Sequence, residues 1–236
     1  MKNLIVTDVP RPDPADVAKL REYGVATIHE AMGRVGSLGP DIRPIQQGLS
    51  IAGPAVTALC WPGDNLMIHA AVEQCGEGDV LVVGSAAPST HGMFGELFAT
   101  ALSYRGVPGV ISDTAVRDTR ELREMGFGAW SRYVSAQGTV KATAGHVNLP
   151  LLIAGQRIAA GDIVVADDDG VVVVPRAKIG ETIVASQARL EKEAATRAAF
   201  QEGQLGLDRY GLRPLLADLG VEYRTHAEAE AAGELA

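Results

Sequence analysis

The sequence predicts an α/β fold in which two sheets pack against a layer of helices. Up to Gly126, short apolar segments typical of buried strands alternate with segments typical of amphipathic helices. From residue 129 to residue 174 the chain changes to a run of strand-like segments separated by Gly, Pro and Asn turns. A long helix rich in Ala, Glu, Lys and Arg is predicted next, over residues 177–203.

In the first part of the chain, glycines and prolines set the predicted boundaries. Gly24 separates two helices, and Pro54 indicates a bent or edge strand. The predicted elements are helices over 16–23 and 27–32, a strand over 50–59, a helix over 65–74 and a buried strand over 80–83. His69 shares an apolar stripe with Leu66 and Val72, which is typical of a packed histidine.

The stretch from His91 to Asp118 contains a helix N-terminus, two acids and an arginine within one strand–helix–strand unit. A loop over residues 84–95 precedes a helix that begins near Gly95 and ends at Gly106. A strand over 110–112, a turn at Asp113 and Thr114, and a second helix over 119–125 follow.

In the second half, the predicted strands cover 129–134, 139–143, 151–153, 163–166 and 171–174. The three consecutive aspartates 167–169 precede Gly170, which predicts a hairpin turn instead of a metal site. A short helix over 213–219 is expected before a loosely ordered Ala- and Glu-rich tail. We expect one domain over residues 1–223 and the tail over 224–236.

Composition excludes several classes of function. The 236 residues carry a net charge of −8, which argues against nonspecific nucleic-acid binding. No segment reaches the ~18 apolar residues of a membrane span, and the first residues lack the apolar core of a signal peptide. We therefore expect a cytoplasmic protein with no nucleic-acid or membrane partner. The two cysteines have no metal-site spacing and are expected to be reduced and buried.

The chemistry of residues 95–118 favours an anionic ligand together with a metal. The backbone N–H groups of Gly95, Glu96, Leu97 and Phe98 would begin a helix and could hold a carboxylate. Arg117 supplies a planar cation that suits a carboxylate or an enolate oxygen. Glu96 and Asp118 offer hard oxygen ligands, which select Mg²⁺ or Mn²⁺.

Structural explanations of the same acids stay open at this point. Asp118 followed by Glu121 matches an N-cap with a capping-box acid, and Glu96 is favoured by the helix dipole alone. His29 and Glu30 begin a zinc-protease HExxH pattern, but position 33 is Gly, so that interpretation fails.

Several short motifs together resemble one known family, the class II pyruvate aldolases that act on 4-hydroxy-4-methyl-2-oxoglutarate and 4-carboxy-4-hydroxy-2-oxoadipate, which are relatives of the regulator of ribonuclease E activity, RraA. The resemblance covers about residues 23–223. Its most specific element is an acid followed, after twenty residues, by Arg-Asp, here Glu96, Arg117 and Asp118. The motifs are HEAMGR at 29–34, PGDN at 62–65, FGEL at 94–97, VRD at 116–118, GTVKAT at 138–143, VADDDGVVVVP at 165–175 and LGLDRY at 205–210.

The resemblance implies a fold, an assembly and a set of roles. The fold would be of the α/β class, with β/β/α layers of the swivelling, RraA-like type. It would form a single compact domain with a long C-terminal helix. The chains would assemble as homotrimers or homohexamers. Asp118 would bind magnesium directly, Arg117 would contact the substrate, and the backbone of residues 95–98 would hold the pyruvyl carboxylate. Glu193 would reach the metal through a water from a neighbouring subunit. These aldolases usually carry Asp where this chain has Glu96, so Glu96 is expected to contact the metal directly or through water.

The reaction that the resemblance implies is retro-aldol cleavage of a 4-hydroxy-2-oxo acid, with pyruvate as a product and with oxaloacetate decarboxylation as a companion activity. A Schiff-base route is disfavoured because, among the five lysines, only Lys141 has an apolar strand context. Two alternatives remain, a 2-oxo acid decarboxylase without an aldol substrate and a noncatalytic RraA-like regulator that binds a ribonuclease. The Arg117–Asp118 pair favours an enzyme.

Overall fold

A computed structural model describes residues 3–235. The chain divides by its internal contacts into two compact units, one ending at Arg189 and one beginning at Leu190. The α/β class with a long C-terminal helix is confirmed. The domain boundary expected at residue 223 stays a prediction.

The first unit contains twelve strands within the described residues. They are β1 (Leu4–Ile5), β2 (Arg43–Pro44), β3 (Ile51–Cys60), β4 (Val80–Ser85), β5 (Gly92–Phe94), β6 (Gly109–Val116), β7 (Gly128–Val134), β8 (His146–Val147), β9 (Leu151–Ile153), β10 (Gln156–Ile158), β11 (Ile163–Asp167) and β12 (Gly170–Val174). The helices of the chain are α1 (Pro14–Ala31), α2 (Leu66–Gln74), α3 (Glu96–Tyr104), α4 (Thr119–Glu124), α5 (Ile179–Gln201), α6 (Gly206–Arg209), α7 (Arg213–Asp218) and α8 (His226–Ala231).

The main sheet has the strand order β1-β8-β3-β4-β6-β7-β2. Its centre, β3-β4-β6-β7, is parallel, and β5 pairs in parallel with the end of β6. The antiparallel hairpin β11–β12 joins the sheet through the beginning of β3. β9 and β10 form a separate two-stranded hairpin. Parallel strands buried on both faces need the nearly continuous apolar sequence that β4 has.

Alternate side chains of the strands enter different parts of the core. Leu81 and Val83 pack with residues of α2, α3 and α4. Val80 and Val82 pack on the opposite face, with residues of β9, β11 and β12. Ile163, on the far face of β11, packs with residues of α1 and the start of α5. The alternation of side chains along the strands therefore places the main sheet on the β11–β12 hairpin. The two stacked β layers were predicted; helices cover both outer faces and not one, because α1 and the start of α5 pack on β11 and β12.

The predicted break at Gly24 is confirmed. Gly24 has a φ of 75° inside α1, where the chain changes direction between two helical segments. The second segment is capped by Asp167, whose Oδ2 atom accepts a hydrogen bond from the amide of Val25 at 2.8 Å. Asp168 accepts a bond from the amide of Gly48 at 2.9 Å. The aspartate run is therefore a structural hairpin turn, as predicted.

Two local predictions are wrong, and one of two alternatives at Pro54 is excluded. Pro54 indicated a bent or an edge strand; β3 is not at an edge, because it pairs with β11 up to Pro54 and with β4 from Ala55 onward. Asp113 and Thr114 do not turn the chain; they continue β6, and Asp113 pairs with Arg132 on β7 at 2.6 Å. Residues 139–143 do not form a strand. The amides of residues 142 and 143 donate to the side chain of Asp64 instead.

The second unit contains the end of α5 and three short helices. α8 lies in the expected tail and has a complete capping box between Thr225 and Glu228. No residue from 201 to 235 is buried, although several large apolar side chains lie there. They are Leu205, Tyr210, Leu212, Leu215, Leu219, Val221 and Tyr223. Within residues 3–235, no helix is long and apolar enough to cross a bilayer.

Candidate functional site

The candidate site is built where β5 ends and α3 begins. Gly95 is the N-cap residue of α3 in an extended conformation, and Glu96 is the first helical residue. A Cβ atom on Gly95 would lie 2.4 Å from the Oδ2 atom of Asp118 and 3.0 Å from the Cγ atom of Arg117. Only glycine therefore lets these two side chains approach the start of the helix.

Asp118 faces α3 and not its own helix. It occupies the N-cap position of α4, but its side chain makes no capping bond there. The Oδ2 atom instead accepts a hydrogen bond from the amide of Glu96 at 3.1 Å. The backbone of Asp118 has a φ of 55°, a strain of about 1–3 kcal/mol that is characteristic of functional positions. The interpretation of Asp118 and Glu121 as a capping pair is therefore wrong.

Arg117 is fixed to the same corner through its backbone. Its amide donates to the carbonyl of Phe94 at 2.9 Å. Its Nε atom lies 3.4 Å from the Oδ2 atom of Asp118, and the two side chains are 42% and 37% exposed. A pair this exposed adds little stability. Both groups can therefore turn toward a ligand at small cost.

The carboxylate of Glu96 is directed along α3. Its Oε1 atom accepts a hydrogen bond from the hydroxyl of Thr100 at 2.7 Å. This bond turns the side chain toward the next helical turn. The structure therefore brings the side chains of Arg117 and Asp118 together. Glu96 contacts Asp118 through its backbone amide, whereas its side chain bonds to Thr100.

Two amides at the start of α3 are available to an anion. The Glu96 amide is bonded to Asp118, and the Phe98 amide donates to the carbonyl of Gly95 at 3.1 Å. The Gly95 and Leu97 amides donate no hydrogen bond to any residue between 3 and 235. The side chain of Leu97 is 76% exposed. The predicted carboxylate site in residues 95–98 thus has two free donors.

A cavity of about 460 Å³ lies against this helix end. Arg117 and Asp118 line it, together with residues of α2, of α3 and of the segment after β7. The other lining residues are Asn65, His69, Val72, Gly92, Met93, Gly95, Leu97, Phe98, Ala101, Gly138, Thr139 and Lys141. Its size suits a small organic acid.

Buried Asp64 fixes the wall that carries Lys141. Its Oδ1 atom accepts a bond from the amide of Leu66 at 2.9 Å, and its Oδ2 atom accepts bonds from the amides of Ala142 and Thr143 at 2.8 and 2.7 Å. Burial would raise the pKa of Asp64, but these backbone donors outweigh it and lower the pKa below the ordinary value. An ionised Asp64 therefore holds the segment of Lys141 against α2.

Asn65 and His69 line the cavity one turn apart. The Nδ2 atom of Asn65 donates to the carbonyl of Met93 at 3.3 Å, and its buried Oδ1 atom has no hydrogen-bond partner among residues 3–235. The His69 ring lies 4.5 Å from the ring of Phe98. Burial lowers the pKa of His69 below its ordinary value, and the charge of Lys141 lowers it further.

These residues are the part of the site that sequence reasoning missed. His69 was expected to be packed, yet it is exposed and lines the cavity. Lys141 was expected in a strand and lies in an irregular segment beside it. The available signal was the spacing of Asn65 and His69, four residues apart on one helix face.

The described residues offer a hard divalent cation one free carboxylate oxygen in this cavity. Within the described part of the chain, no three His, Cys, Asp or Glu side chains come together. The Oδ1 atom of Asp118 has no hydrogen bond in residues 3–235, so one hard oxygen is available in the cavity. Magnesium suits such a site, because it keeps several waters and is bound by one or two carboxylates. Glu193 lies on α5 in the second unit, and its role as a ligand from a neighbouring subunit stays a prediction.

A larger cavity of about 650 Å³ lies between the beginning of α1 and the beginning of β3. Arg11 on its rim is held by the buried Asp79, with nitrogen–oxygen distances of 2.8 and 2.6 Å. Glu22 and Glu77 line it. Both carboxylate oxygens of Asp79 already accept hydrogen bonds, from Arg11 and from the amide of Gly76, whereas the Oδ1 atom of Asp118 accepts none among residues 3–235. The smaller cavity is therefore the candidate active site.

Comparison with known families identifies one match. The family described as RraA-like, Aldolase/RraA, matches residues 25–173. A protein of Halalkalibacterium halodurans, named "Putative 4-hydroxy-4-methyl-2-oxoglutarate aldolase", is 25% identical over 194 residues, which are 82% of this chain and 92% of that protein. A Burkholderia multivorans protein of the same name is 36% identical over 143 residues, 61% of this chain and 87% of its own length.

Solved structures have the same architecture. RraAS2 of Streptomyces coelicolor, described as an unusual member of the RNase ES inhibitor RraA protein family, superposes with a TM-score of 0.74 at 27% identity, over 80% of this chain and 99% of its own. The RNA-processing inhibitor RraA of Thermus thermophilis superposes with a TM-score of 0.55 at 25% identity, over 70% and 94%. The layered fold is thus found in solved structures described as inhibitors of RNA processing, whereas the two sequence relatives are named aldolases.

Proposed function

The chain belongs to the RraA-like family, and we propose from that premise that it is a divalent-metal-dependent lyase. The proposed reaction is retro-aldol cleavage of 4-hydroxy-4-methyl-2-oxoglutarate, 4-carboxy-4-hydroxy-2-oxoadipate or both, with release of pyruvate. Oxaloacetate decarboxylation is proposed to accompany it, because loss of carbon dioxide from oxaloacetate leaves the same pyruvate enolate. The names of the relatives support the aldolase activity.

One observation carries the proposal. Arg117, the carboxylate of Asp118 and the free amides of Gly95 and Leu97 meet at one cavity. A 2-oxo acid presents a carboxylate and a neighbouring keto oxygen, and both gain from donors and cations at such a corner. The amides and the positive end of α3 would bind the carboxylate. Arg117 would donate to the keto oxygen as it becomes an enolate oxygen.

Asp118 would hold the cation directly, Glu96 would contact it directly or through water, and Glu193 would do so through water from a neighbouring subunit. When bound, Mg²⁺, or Mn²⁺ in its place, would polarise the keto group as a Lewis acid. The side chain of Asp118 is positioned for this role because Gly95 leaves it room and the Glu96 amide orients it. These contacts leave its second oxygen free for a ligand.

Both proposed substrates carry a further carboxylate beyond the bond to be cleaved. Lys141 lines the same cavity on the segment that Asp64 fixes. Its ammonium group would attract this second carboxylate, as a compact charge on a flexible stem does. The cavity therefore suits a dianion or a trianion better than pyruvate alone.

A homotrimer or homohexamer is the proposed assembly. In the second unit, the helices after residue 205 expose apolar side chains such as Leu215 and Leu219 and bury none. Helices this short are not stable without packing. On α3, Leu97 and Tyr104 are also exposed, at 76% and 93%. A second copy of the chain would cover such surfaces.

Two other activities share parts of this arrangement. A decarboxylase without an aldol substrate would use the same carboxylate and keto contacts. An RNase-binding regulator is suggested by the Streptomyces relative, which is described as a member of the RNase ES inhibitor RraA protein family. The strained backbone of Asp118 and its pairing with Arg117 favour an enzyme, because a binding surface gains nothing from them.

The proposal is tested by a coupled pyruvate assay with 4-hydroxy-4-methyl-2-oxoglutarate, 4-carboxy-4-hydroxy-2-oxoadipate and oxaloacetate, each with and without Mg²⁺. We expect metal-dependent pyruvate release from at least one hydroxy acid and from oxaloacetate. Release from oxaloacetate alone would indicate the decarboxylase. Release from none of the three would contradict the proposed function.

A further inference from the structure

We propose that His69 is the proton-transfer residue of this cavity, which takes the proton of the substrate's C4 hydroxyl and returns it to C3 of the pyruvate enolate. The inference rests on the proposed lyase function and deepens it. It assigns a role that neither the carboxylate Asp118 nor the cation Arg117 can fill, since both are engaged with binding and charge stabilisation.

The position of His69 carries the inference. It lies on α2, one helical turn beyond Asn65, and both side chains line the wall of the cavity that Arg117 and Asp118 also line. Its ring lies 4.5 Å from the ring of Phe98, with the planes inclined by 53°. Phe98 belongs to the first turn of α3, where the substrate carboxylate is proposed to bind. The imidazole is therefore held beside the part of the cavity that the rest of the substrate would occupy.

The ring nitrogens of His69 are also available to a ligand. Its ring nitrogens make no hydrogen bond to any other residue from 3 to 235. His29, by contrast, has its Nδ1 atom 3.2 Å from the carbonyl of Val35. A ring that packs at a tilt against Phe98 and has free nitrogens is arranged for exchange of protons with a ligand.

Partial burial and the charge of Lys141 favour the neutral form of His69. Across the cavity lie Lys141, Arg117 and Asp118; on its own helix, the exposed Glu73 is one turn further along. Burial and then Lys141 lower the pKa of His69 below its ordinary value of 6.5. At neutral pH the ring is therefore a base that can accept a proton, and the conjugate acid that it forms is a strong enough donor to protonate carbon.

The step balances without any further reactant. The neutral imidazole takes the C4 hydroxyl proton, the oxygen lone pair forms the new carbonyl, and the C3–C4 bond breaks. Its electron pair becomes the enolate of pyruvate, whose oxygen charge Arg117 stabilises. The imidazolium then gives its proton to C3, which yields the methyl group of pyruvate and restores neutral His69.

Oxaloacetate distinguishes this role from a structural one. Its decarboxylation has no hydroxyl proton to remove, so His69 stays neutral and has no captured proton to return. The enolate then takes its C3 proton from water. In H69N and H69Q we expect kcat for hydroxy-acid cleavage to fall by ~10²–10⁴-fold, with KM and the oxaloacetate decarboxylation rate within about threefold of wild type. Exchange of the pyruvate methyl protons in deuterium oxide, followed by NMR, should fall with kcat.

The pH profile gives a second readout. In the wild type, kcat/KM for the hydroxy acid should decline toward acid pH as His69 becomes protonated, and H69Q should lose this limb. H29N, outside the cavity, is the matched control and should behave as wild type. Thermal unfolding should be unchanged in H69Q.

The proposal is overturned by equal losses of cleavage and decarboxylation, by a rise in KM with unchanged kcat, or by an unchanged acid limb in H69Q. If the wild type cleaves neither hydroxy acid, the retro-aldol function itself fails, and this inference fails with it. If the wild type cleaves and H69N and H69Q cleave equally well, only the role of His69 fails.

Discussion

The Oδ2 atom of Asp118 accepts a hydrogen bond from the amide of Glu96, 3.1 Å away across the gap between β6 and the start of α3. The bond joins two residues that are 22 positions apart and gives each a different function. The Glu96 backbone orients the carboxylate of Asp118, while the Glu96 side chain bonds to Thr100. Asp118 is therefore the direct metal ligand in our proposal, and Glu96 the weaker contact.

Replacing Gly95 with Ala tests the close approach at the helix start. The new Cβ would meet the Oδ2 atom of Asp118 at 2.4 Å, so the carboxylate must move, and displacements of this size cost ~100-fold in rate. Pyruvate release should fall by at least that factor. In the control Gly180→Ala, the added Cβ meets nothing within 4 Å, so activity should be unchanged and stability should rise by about 0.5–1 kcal/mol. A fully active Gly95→Ala enzyme would refute the steric argument.

Neutralising the two acids one at a time should separate a direct ligand from an indirect one. In Asp118→Asn, we expect the Mg²⁺ concentration that gives half-maximal activity to rise by more than ~100-fold. In Glu96→Gln, we expect a rise of only about 10-fold, the usual effect of an outer contact. A titration of activity with Mg²⁺ measures both. The reverse order would make Glu96 the direct ligand.

Asp64→Asn should loosen the segment that carries Lys141. The amide nitrogen of Asn cannot accept the bonds now donated by Ala142 and Thr143, so we expect a loss of ~2–4 kcal/mol in the free energy of unfolding and a higher KM. Denaturant titration measures the first quantity. Glu73→Gln, on the exposed side of α2, is the control and should change neither.

The acid stability of the protein should depend on Asp64 with a defined sign. The folded-state pKa of this carboxyl is lowered, so its contribution is complete above the unfolded pKa of about 3.9 and is lost as the pH falls below that value through the folded pKa. The stability difference between wild type and Asp64→Asn should therefore shrink below about pH 4. A difference that stays constant down to pH 2 would exclude this linkage.

Charge on the apolar surface of the second unit should disrupt the proposed assembly. Leu215 and Leu219 are 50% and 70% exposed, so replacing both with Glu costs no buried contact within the described chain. We expect the mass measured by light scattering to fall from that of a trimer or hexamer toward that of a monomer. Leu152→Glu, at a 73% exposed position on β9, is the control. An oligomer that survives the double substitution would place the interface elsewhere.

The sequence allowed prediction of the local parts of the fold. Gly24, Gly95 and Gly106 mark the helix ends where they were expected, since each boundary depends on neighbouring residues. The polar stretch at Asp113 was misinterpreted as a turn, because its partner, Arg132, lies on another strand. At Pro54 local sequence left a bent strand and an edge strand open, because the change of pairing partner there depends on distant segments of the chain.

In the candidate site, too, local features could be predicted from the sequence and long-range contacts could not. Arg117 and Asp118 could be singled out because they are adjacent and follow a strand. The grouping of His69 and Lys141 around the same cavity could not be predicted, because it depends on the long-range bonds from residues 142 and 143 to Asp64. Local pattern also favoured a capping role for Asp118, and only its left-handed backbone and its bond to α3 exclude that role.

The most direct test is pyruvate release from 4-hydroxy-4-methyl-2-oxoglutarate by protein stripped of metal with a chelator, before and after Mg²⁺ or Mn²⁺ is restored. The proposed mechanism predicts no activity without metal, full recovery with it, and no recovery in Asp118→Asn at the metal concentration that restores the wild type. Undiminished release from metal-free protein would contradict it. Trapping of Lys141 with borohydride during such turnover would indicate a Schiff-base aldolase instead.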